Sequence, residues 1–191
     1  MQRLELVHDW LARQFPGRPL SVAPASADAS FRRYFRITFD DGLTRIVMDA
    51  PPEHEDCRPF VHVAGLLHEA GVHAPEILAQ DLDRGLLLLT DLGSTTYLDA
   101  LDASNADVLF RDALDALVKW QLASRPDALP PYDEALLRRE LNLFPDWYVA
   151  RHLGSPLTAP QQEVLEQVQA LLLQNILAQP RVFVHRDYMP R

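Results

Sequence analysis

Residues 182–191 have the sequence Val-Phe-Val-His-Arg-Asp-Tyr-Met-Pro-Arg, in which an apolar run is followed at once by polar side chains. The β-branched and aromatic residues from Arg181 to Val184 predict a short strand. His185, Arg186 and Asp187 then fall on the turn after that strand, a position from which folds commonly present a carboxylate in a cleft. A single capping carboxylate at a strand end would give the same pattern, so the rest of the chain has to distinguish the two interpretations.

Three helices are predicted before this stretch, from apolar residues at helical spacing. They cover about residues 104–124, 133–142 and 158–178. Asp133 is predicted to cap the second helix, and Ser104 and Thr158 are each predicted to begin a capping box. The third helix leads directly into the stretch that carries Asp187. Its predicted buried face consists of Val164, Leu165, Val168, Leu172, Ile176 and Leu177.

The segment from Glu140 to His152, between the second and third helices, combines carboxylates, aromatic rings and a guanidinium. Pro145 interrupts its helical pattern, because proline lacks the backbone N–H that a helix interior needs. The residues that this interruption is expected to bring close together are Asp146, Trp147, Tyr148 and Arg151. Such a mixture suits a sugar ligand, although a kinked helix that packs its aromatic rings inward would explain the same residues.

The first half of the chain alternates between helical and strand patterns. An amphipathic helix at 3–14 is followed by strands at 20–23, 31–39 and 43–49, a helix at 59–70 and strands at 75–80 and 86–89. The turn signal Asp40-Asp41-Gly42 joins two of these strands. We therefore expect residues 31–39 to pair antiparallel with residues 43–49.

A loop of small residues, Ala25 to Ser30, separates the first two strands. Small side chains let backbone amides approach phosphate oxygens, and Ser26, Asp28 and Ser30 lie where such a loop would cover a nucleotide. The loop contains no glycine, so a plain strand connection is the alternative interpretation.

Length and composition argue against several classes of protein. The 191 residues, 48% of them hydrophobic, are enough for one core or for two small lobes. The sequence shows no long apolar span and no secretory leader pattern, which predicts a soluble, cytoplasmic protein without membrane partners. The net charge of −9 argues against nonspecific binding of nucleic acid or anionic membranes. Lys119 is the only lysine, so no mechanism can use a lysine from the first half of the chain.

His185-Arg186-Asp187 has the order of the kinase catalytic loop, in which the Asp accepts the proton of the attacking hydroxyl and a later Asn holds Mg²⁺. Together with residues 28–36 and with the order helix, three strands, helix, two strands, it resembles the aminoglycoside phosphotransferase and choline kinase-like family. The resemblance covers essentially the whole chain. It is strongest to the bacterial kinases that phosphorylate the anomeric hydroxyl of N-acetylmuramate or N-acetylglucosamine in cell-wall recycling.

This resemblance implies an α+β, protein kinase-like fold of two lobes. Residues 1–91 are expected to form a complete nucleotide-binding N-terminal lobe, and residues 92–191 a partial, helical C-terminal lobe that ends inside the catalytic loop. The implied activity is ATP-dependent phosphorylation of a small-molecule hydroxyl, with a sugar as acceptor and with ATP and Mg²⁺ as cofactors. Muramic and glucosamine sugars, aminoglycosides, choline and homoserine all suit this architecture, so the residues leave the acceptor open.

The resemblance also implies roles for individual residues. Asp187 is the expected catalytic carboxylate, and His185 is expected to support its loop. The implied substrate-binding residues are Glu140, Asp146, Trp147, Tyr148 and Arg151. The implied nucleotide-binding residues are Ser26, Asp28, Ser30, Arg33, Met48, Thr90, Asp91 and Leu92, with residues 90–93 as the hinge that meets the adenine edge.

The sequence departs from the family pattern in three places. The strand lysine that pairs with the phosphates falls near Met48, so Arg33, Arg36 or Arg45 is expected to supply the charge instead. The helix at 59–70 shows no evident glutamate partner for that cation. The Asn and the later Asp that hold Mg²⁺ fall beyond residue 191, so the chain is expected to be a fragment that is inactive alone.

Two interpretations from other classes compete with the kinase. A kinase-like module that binds ligands without catalysis would explain the absent lysine and glycines. A metal-dependent hydrolase would use His185 and Asp187, but the sequence shows no second cluster of metal ligands.

Overall fold

The computed structural model describes residues 2–27 and 31–190. Backbone contacts divide the chain into two compact units, Met1–Trp120 with Met189–Arg191, and Gln121–Tyr188. The lobe boundary predicted after Asp91 stays a prediction.

The first unit is built on an antiparallel sheet. Its strands are β1 (Leu20–Ala27), β2 (Arg33–Phe39), β3 (Thr44–Asp49), β4 (Ile77–Asp81) and β5 (Leu86–Thr90). The strand order is β1-β2-β3-β5-β4. β2 pairs with β3 from Arg33 opposite Asp49 to Thr38 opposite Thr44. This register confirms the predicted hairpin.

β1 is longer than the sequence predicts. The predicted strand stops at Ala23, whereas β1 continues to Ala27 after an irregularity in its pairing with β2. An extended backbone beside an existing strand satisfies its N–H and C=O groups, and this gain outweighs the small side chains of the segment. Ser26 therefore lies on a strand, while Asp28 and Ser30 lie outside the described residues.

Two helices pack on the sheet, α1 (Gln2–Gln14) and α2 (Arg58–Glu69). Because successive strand residues point to opposite sides, alternation decides which side chains meet which helix. Phe35, Ile37 and Phe39 pack with residues of α1 on what we call the α1 face. Met48 and Leu87 pack with residues of α2 on the opposite, α2 face.

The remaining helices follow the sheet along the chain. They are α3 (Tyr97–Ala100), α4 (Ala106–Leu122), α5 (Glu134–Leu141), a π-helix (Phe144–His152) and α6 (Ala159–Leu177). Asp133 accepts a 3.0 Å hydrogen bond from the Leu136 N–H at the start of α5. Thr158 and Gln161 form a capping box at the start of α6. Both predicted caps are confirmed.

The capping box predicted at Ser104 is wrong. The Ser104 hydroxyl donates a 2.5 Å hydrogen bond to Asp102, whose carboxylate also accepts the N–H groups of Ser104 and Asn105. This local turn competes for the donors that a serine cap would need, and α4 begins only at Ala106.

The buried face predicted for α6 is also wrong. The buried residues of α6 are Gln169 and Leu173, whereas Val164 and Leu172 are 60% and 44% exposed. Apolar residues occur all round α6, so its sequence does not identify the side that a neighbour covers. Packing within the second unit makes that choice.

Candidate active site

The loop that carries Asp187 is not a strand. No β-strand is assigned anywhere in residues 178–190, because extended residues become a strand only beside a pairing partner. Phe183 fixes the loop instead: its side chain is 6% exposed, and its N–H donates a 2.7 Å hydrogen bond to the Ser124 hydroxyl. The predicted strand at 181–184 is therefore wrong, although an apolar anchor does precede Asp187.

Asp187 lies on a tight bend after this anchor. Its N–H donates a 3.0 Å hydrogen bond to the His185 carbonyl, and Arg186 between them has a φ of 71°. The His185 ring meets the edge of Tyr188 at 5.1 Å between centroids. The Asp187 side chain is exposed, and within residues 2–27 and 31–190 its carboxylate accepts no hydrogen bond. It is thus open to an incoming hydroxyl.

Arg186 belongs to a polar cluster with Tyr132 and Glu140. One Glu140 oxygen accepts a hydrogen bond from Arg186 Nη2 and the other from the Tyr132 hydroxyl, and the Arg186 guanidinium carbon lies 5.7 Å from the centre of the Tyr132 ring. The hydrogen bond to Glu140 raises the pKa of Tyr132. The same hydrogen bond lowers the pKa of Glu140, with the Arg186 charge acting in the same direction.

The predicted acceptor segment forms a π-helix, in which N–H groups bond to carbonyls five residues earlier. The Leu153 N–H accordingly donates to the Tyr148 carbonyl at 2.9 Å. The Arg151 guanidinium carbon lies over the Trp147 ring, 3.9 Å from its centre. The Tyr148 ring stacks on Phe144 and on His152. Trp147 and Tyr148 are 56% and 51% exposed, so these rings do not pack inward.

Arg33 forms an ion pair with Asp49 on the α1 face. Its Nε donates a 3.1 Å hydrogen bond to one oxygen of Asp49, and Arg3 of α1 donates to the other oxygen at the same distance. The Asp49 side chain is completely buried, and a buried carboxylate of this kind needs both partners. The predicted phosphate contact of Arg33 would have to compete with this ion pair.

The predicted hinge is held by an ion pair between Arg36 and Asp91. Arg36 donates from Nε at 2.6 Å and from Nη2 at 3.1 Å to the two Asp91 oxygens, and it also reaches the Gly93 carbonyl at 2.9 Å. The Gly93 N–H donates back to Asp91 at 2.9 Å. Arg36 is the main cause that lowers the pKa of Asp91 to about 2.

The hinge leaves backbone groups open between these contacts. The Thr90 N–H donates a 3.0 Å hydrogen bond to the Glu76 carbonyl, and the Thr90 hydroxyl accepts one of 2.9 Å from the Glu76 N–H. In the described part of the chain no hydrogen bond engages the N–H or C=O of Leu92, whose side chain is 52% exposed. A donor and an acceptor side by side match the edge of an adenine base.

A cavity of about 370 Å³ adjoins the hinge. Arg45 lines it from the start of β3, where it is paired with Thr90, and its guanidinium donates a 2.8 Å hydrogen bond to the Thr44 carbonyl. The other lining residues are His68, Val72, His73, Ala74, Glu76, Thr90, Asp91 and Leu92. Arg45 is therefore placed at the hinge end of the sheet.

Arg32 directly precedes β2 and also makes polar contacts, although the sequence motifs did not single it out. Its guanidinium forms a 3.4 Å ion pair with Glu55, and it interacts electrostatically with Tyr34, which lies on the α2 face opposite Met48. Strand alternation could have identified it, because residues two apart along a strand share a face of the sheet. Arg32 is two residues before Tyr34 and so falls on the α2 face, whereas Arg33 falls on the α1 face. Met48 is fully buried in the apolar cluster on this face. The position at which the family has a lysine is therefore occupied by an apolar side chain.

The sequence profile of the phosphotransferase enzyme family matches residues 21–191. The chain belongs to this family. It is 61% identical over 173 residues to the N-acetylmuramate/N-acetylglucosamine kinase of Pseudomonas aeruginosa, covering 91% of this chain and 51% of that protein. It is 57% identical over 171 residues to the kinase of the same name from Pseudomonas putida, covering 90% and 50%. The counterpart from Neisseria meningitidis is 42% identical over 195 residues, covering 100% and 58%.

This chain spans about half the length of the two Pseudomonas relatives that it matches. A solved structure of a fructosamine-3-kinase candidate from Thermobifida fusca is similar with a TM-score of 0.53 at 17% identity, covering 93% of this chain and 65% of that protein. This likeness concerns the fold, and it confirms the predicted α+β, kinase-like architecture.

Among residues 2–27 and 31–190, no helix is long and apolar enough to cross a membrane. In the same residues, no three His, Cys, Asp or Glu side chains come together as a metal-binding group.

Proposed function

We propose that this chain carries the nucleotide-binding strands and the catalytic loop of an ATP-dependent sugar kinase, cytoplasmic in location, that phosphorylates the anomeric hydroxyl of N-acetylmuramate or N-acetylglucosamine. The observation that supports it most is the Asp187 carboxylate. It is exposed, free of partners in the described part of the chain, and lies within the family match. The names of relatives that are 61% and 57% identical indicate the acceptor.

Asp187 has the role of orienting the sugar hydroxyl and accepting its proton. As the sugar oxygen forms its bond to the γ-phosphorus, the bond from that phosphorus to the β-phosphate bridging oxygen breaks, and ADP leaves. Phosphoryl transfer depends chiefly on positioning and on electrostatic stabilisation. A carboxylate that no neighbouring donor engages can accept the hydroxyl proton without first breaking an internal hydrogen bond.

The nucleotide is assigned to the α2 face of the sheet and to the hinge. The backbone of Leu92, beside Thr90 and Asp91, supplies the donor and acceptor for the adenine edge, while the Asp91 carboxylate holds the hinge through Arg36. Ser26, with Asp28 and Ser30, is proposed to cover the phosphates. Met48 contributes apolar contact.

Positive charge for the phosphates is proposed to come from an arginine. Arg33 is bound to the buried Asp49, Arg36 to Asp91, and Arg45 lies at the hinge end of the sheet. Arg32 differs from them because its 3.4 Å contact to Glu55 is the longest of these ion pairs and because only Phe31 separates it from the small-residue segment that ends at Ser30. Arg32 therefore joins Arg33, Arg36 and Arg45 as a candidate.

The sugar is assigned to the π-helix. Exposed Trp147 and Tyr148 offer flat apolar surfaces, and Arg151 and Asp146 offer a donor and an acceptor beside them. Glu140, which was predicted to contact the sugar as well, has both carboxylate oxygens engaged by Arg186 and Tyr132.

When bound, Mg²⁺ neutralises phosphate charge during this reaction. The described residues do not assemble a set of ligands for it, so no step is assigned to the metal through this chain.

One observation favours a second candidate, a kinase-like module that binds a ligand without catalysis. The first half of the chain has no lysine, and three of its candidate arginines are held in ion pairs. Such a module would bind ATP without consuming it.

The deciding experiment is an acceptor screen with ATP on a chain extended past Arg191, following ADP release. N-acetylmuramate and N-acetylglucosamine are compared with choline, homoserine and an aminoglycoside. We expect sugar-dependent turnover whose kcat falls far more than KM changes in Asp187→Asn, because the carboxylate acts mainly in the transition state. Asp112→Asn, an exposed carboxylate of α4, is the matched control.

We expect the 191-residue chain to show no turnover with or without Asp187. Sugar-dependent ATP consumption by that chain, abolished in Asp187→Asn, would mean that the metal site lies within it. ATP binding by the extended chain without turnover on any acceptor would support the binding module, and turnover on choline alone would refute the sugar.

A further inference from the structure

Arg186 adopts a backbone conformation that arginine rarely takes. Its φ of 71° lies in the left-handed region, where the Cβ atom crowds the backbone and where glycine, asparagine and aspartate predominate. A residue of this kind persists when its surroundings hold it in place. The conformation matters because it sets the direction in which the next residue, Asp187, leaves the bend.

The surroundings that hold Arg186 come from α5 and the loop before it. Glu140, near the end of α5, accepts a hydrogen bond from Arg186 Nη2, and the Tyr132 hydroxyl donates to the other Glu140 oxygen. The Tyr132 ring also lies beside the guanidinium, 5.7 Å from its carbon. The Glu140 side chain is 31% exposed, which leaves the cluster partly shielded from water.

We propose that Glu140 and Tyr132 are positioning residues that hold the Arg186 side chain, and through it the left-handed Arg186 backbone, so that the Asp187 carboxylate is presented in one direction. The catalytic consequence rests on the proposed function of Asp187. Both Glu140 oxygens accept hydrogen bonds within this cluster, and on that ground Glu140 is assigned to the loop rather than to the sugar. Replacing Glu140 therefore acts on kcat, whereas loss of a sugar ligand acts on KM.

The first test needs neither sugar nor nucleotide and uses the 191-residue chain. Trypsin must take an arginine side chain into its specificity pocket to cleave, so the grip of Glu140 on Arg186 protects the Arg186–Asp187 bond. We expect Glu140→Gln to speed cleavage at this bond severalfold. In the same variant we expect the raised pKa of the Tyr132 phenol to fall towards its ordinary value. The titration of Tyr132 is identified as the one that is missing in Tyr132→Phe. Glu134→Gln is the matched control, because Glu134 lies on the same helix and pairs only with Arg138 in the described part of the chain.

The second test measures kinetics in the chain extended past Arg191. Glu140→Gln is expected to lower kcat about tenfold with the sugar KM unchanged, and Glu140→Asp to recover part of the loss. Glycine accepts a positive φ without crowding, so in an Arg186→Gly background Glu140→Gln should lower kcat no further.

Each outcome decides a different claim. If Glu140→Gln resembles Glu134→Gln in cleavage and in the Tyr132 titration, Glu140 does not hold Arg186 and the proposal is wrong. If the sugar KM rises at constant kcat, Glu140 is a sugar ligand and the positioning role is refuted. If the parent chain phosphorylates no sugar, the proposed function fails, while the cleavage and titration results still decide whether the cluster holds the loop.

Discussion

Removing the Asp91 carboxylate is expected to destabilise the hinge by an amount that the structure allows us to work out. Arg36 binds both Asp91 oxygens, and the Asp91 side chain is only 5% exposed, so solvent screens the pair weakly. The pKa of Asp91 is lowered from its ordinary 3.8 to about 2. At 1.36 kcal/mol per pH unit, this difference corresponds to about 2 kcal/mol of stability at pH 7.

The pH dependence follows from the sign of this change. Because the folded-state pKa is depressed, the stabilisation is fully present above the unfolded value of 3.8 and is lost as the pH falls through about 2. At pH 2 the carboxylate is half protonated in the folded chain, and less than about 0.5 kcal/mol of its contribution remains.

The assay is urea unfolding of the parent chain and of Asp91→Asn, followed by circular dichroism at pH 7 and at pH 2. We expect the variant to be less stable by about 2 kcal/mol at pH 7, with the two chains nearly equal at pH 2. Asp115→Asn, which removes an exposed carboxylate of α4, should change stability by less than about 0.5 kcal/mol. Equal stability of parent and Asp91→Asn at pH 7, or a difference that persists at pH 2, would refute the assignment.

Two further predictions test the α2 face and α6. Arg32→Gln is expected to weaken binding of ATP about tenfold, as measured by isothermal titration in the extended chain, while adenosine binding stays unchanged because adenosine has no phosphates. The control Arg58→Gln removes an exposed charge, and equal losses for both ligands would argue against a phosphate contact. On α6, Leu173→Ala should lower the free energy of unfolding by about 2–4 kcal/mol because the side chain is buried. Val164→Ala, on the face predicted from the sequence but 60% exposed, should change it by less than about 0.5 kcal/mol. A reversed order would restore the face predicted from the sequence.

The reasons for the successes and errors at α5, α6 and the catalytic loop are physical. Asp133 and Thr158 cap their helices as predicted, since a cap depends on residues within one turn. The strand predicted at 181–184 did not form, because its sequence carries the propensity but the second unit offers no strand beside it. The bend that presents Asp187 instead depends on Arg186, Glu140 and Tyr132. Arg186 is 46 residues from Glu140 along the chain, and spacing does not reveal a contact over such a separation.

The sequence by itself determined the features that rest on neighbouring residues. The hairpin of β2 and β3 follows from the alternation of its strands and from the turn sequence that joins them. Only the tertiary structure decided which arginine is committed to which carboxylate, which side of α6 is covered, and that the aromatic rings of the π-helix face outward. The physical reason is that propensity, capping and turn formation act over a few residues, whereas burial and ion pairing depend on groups that the sequence separates and the fold brings together.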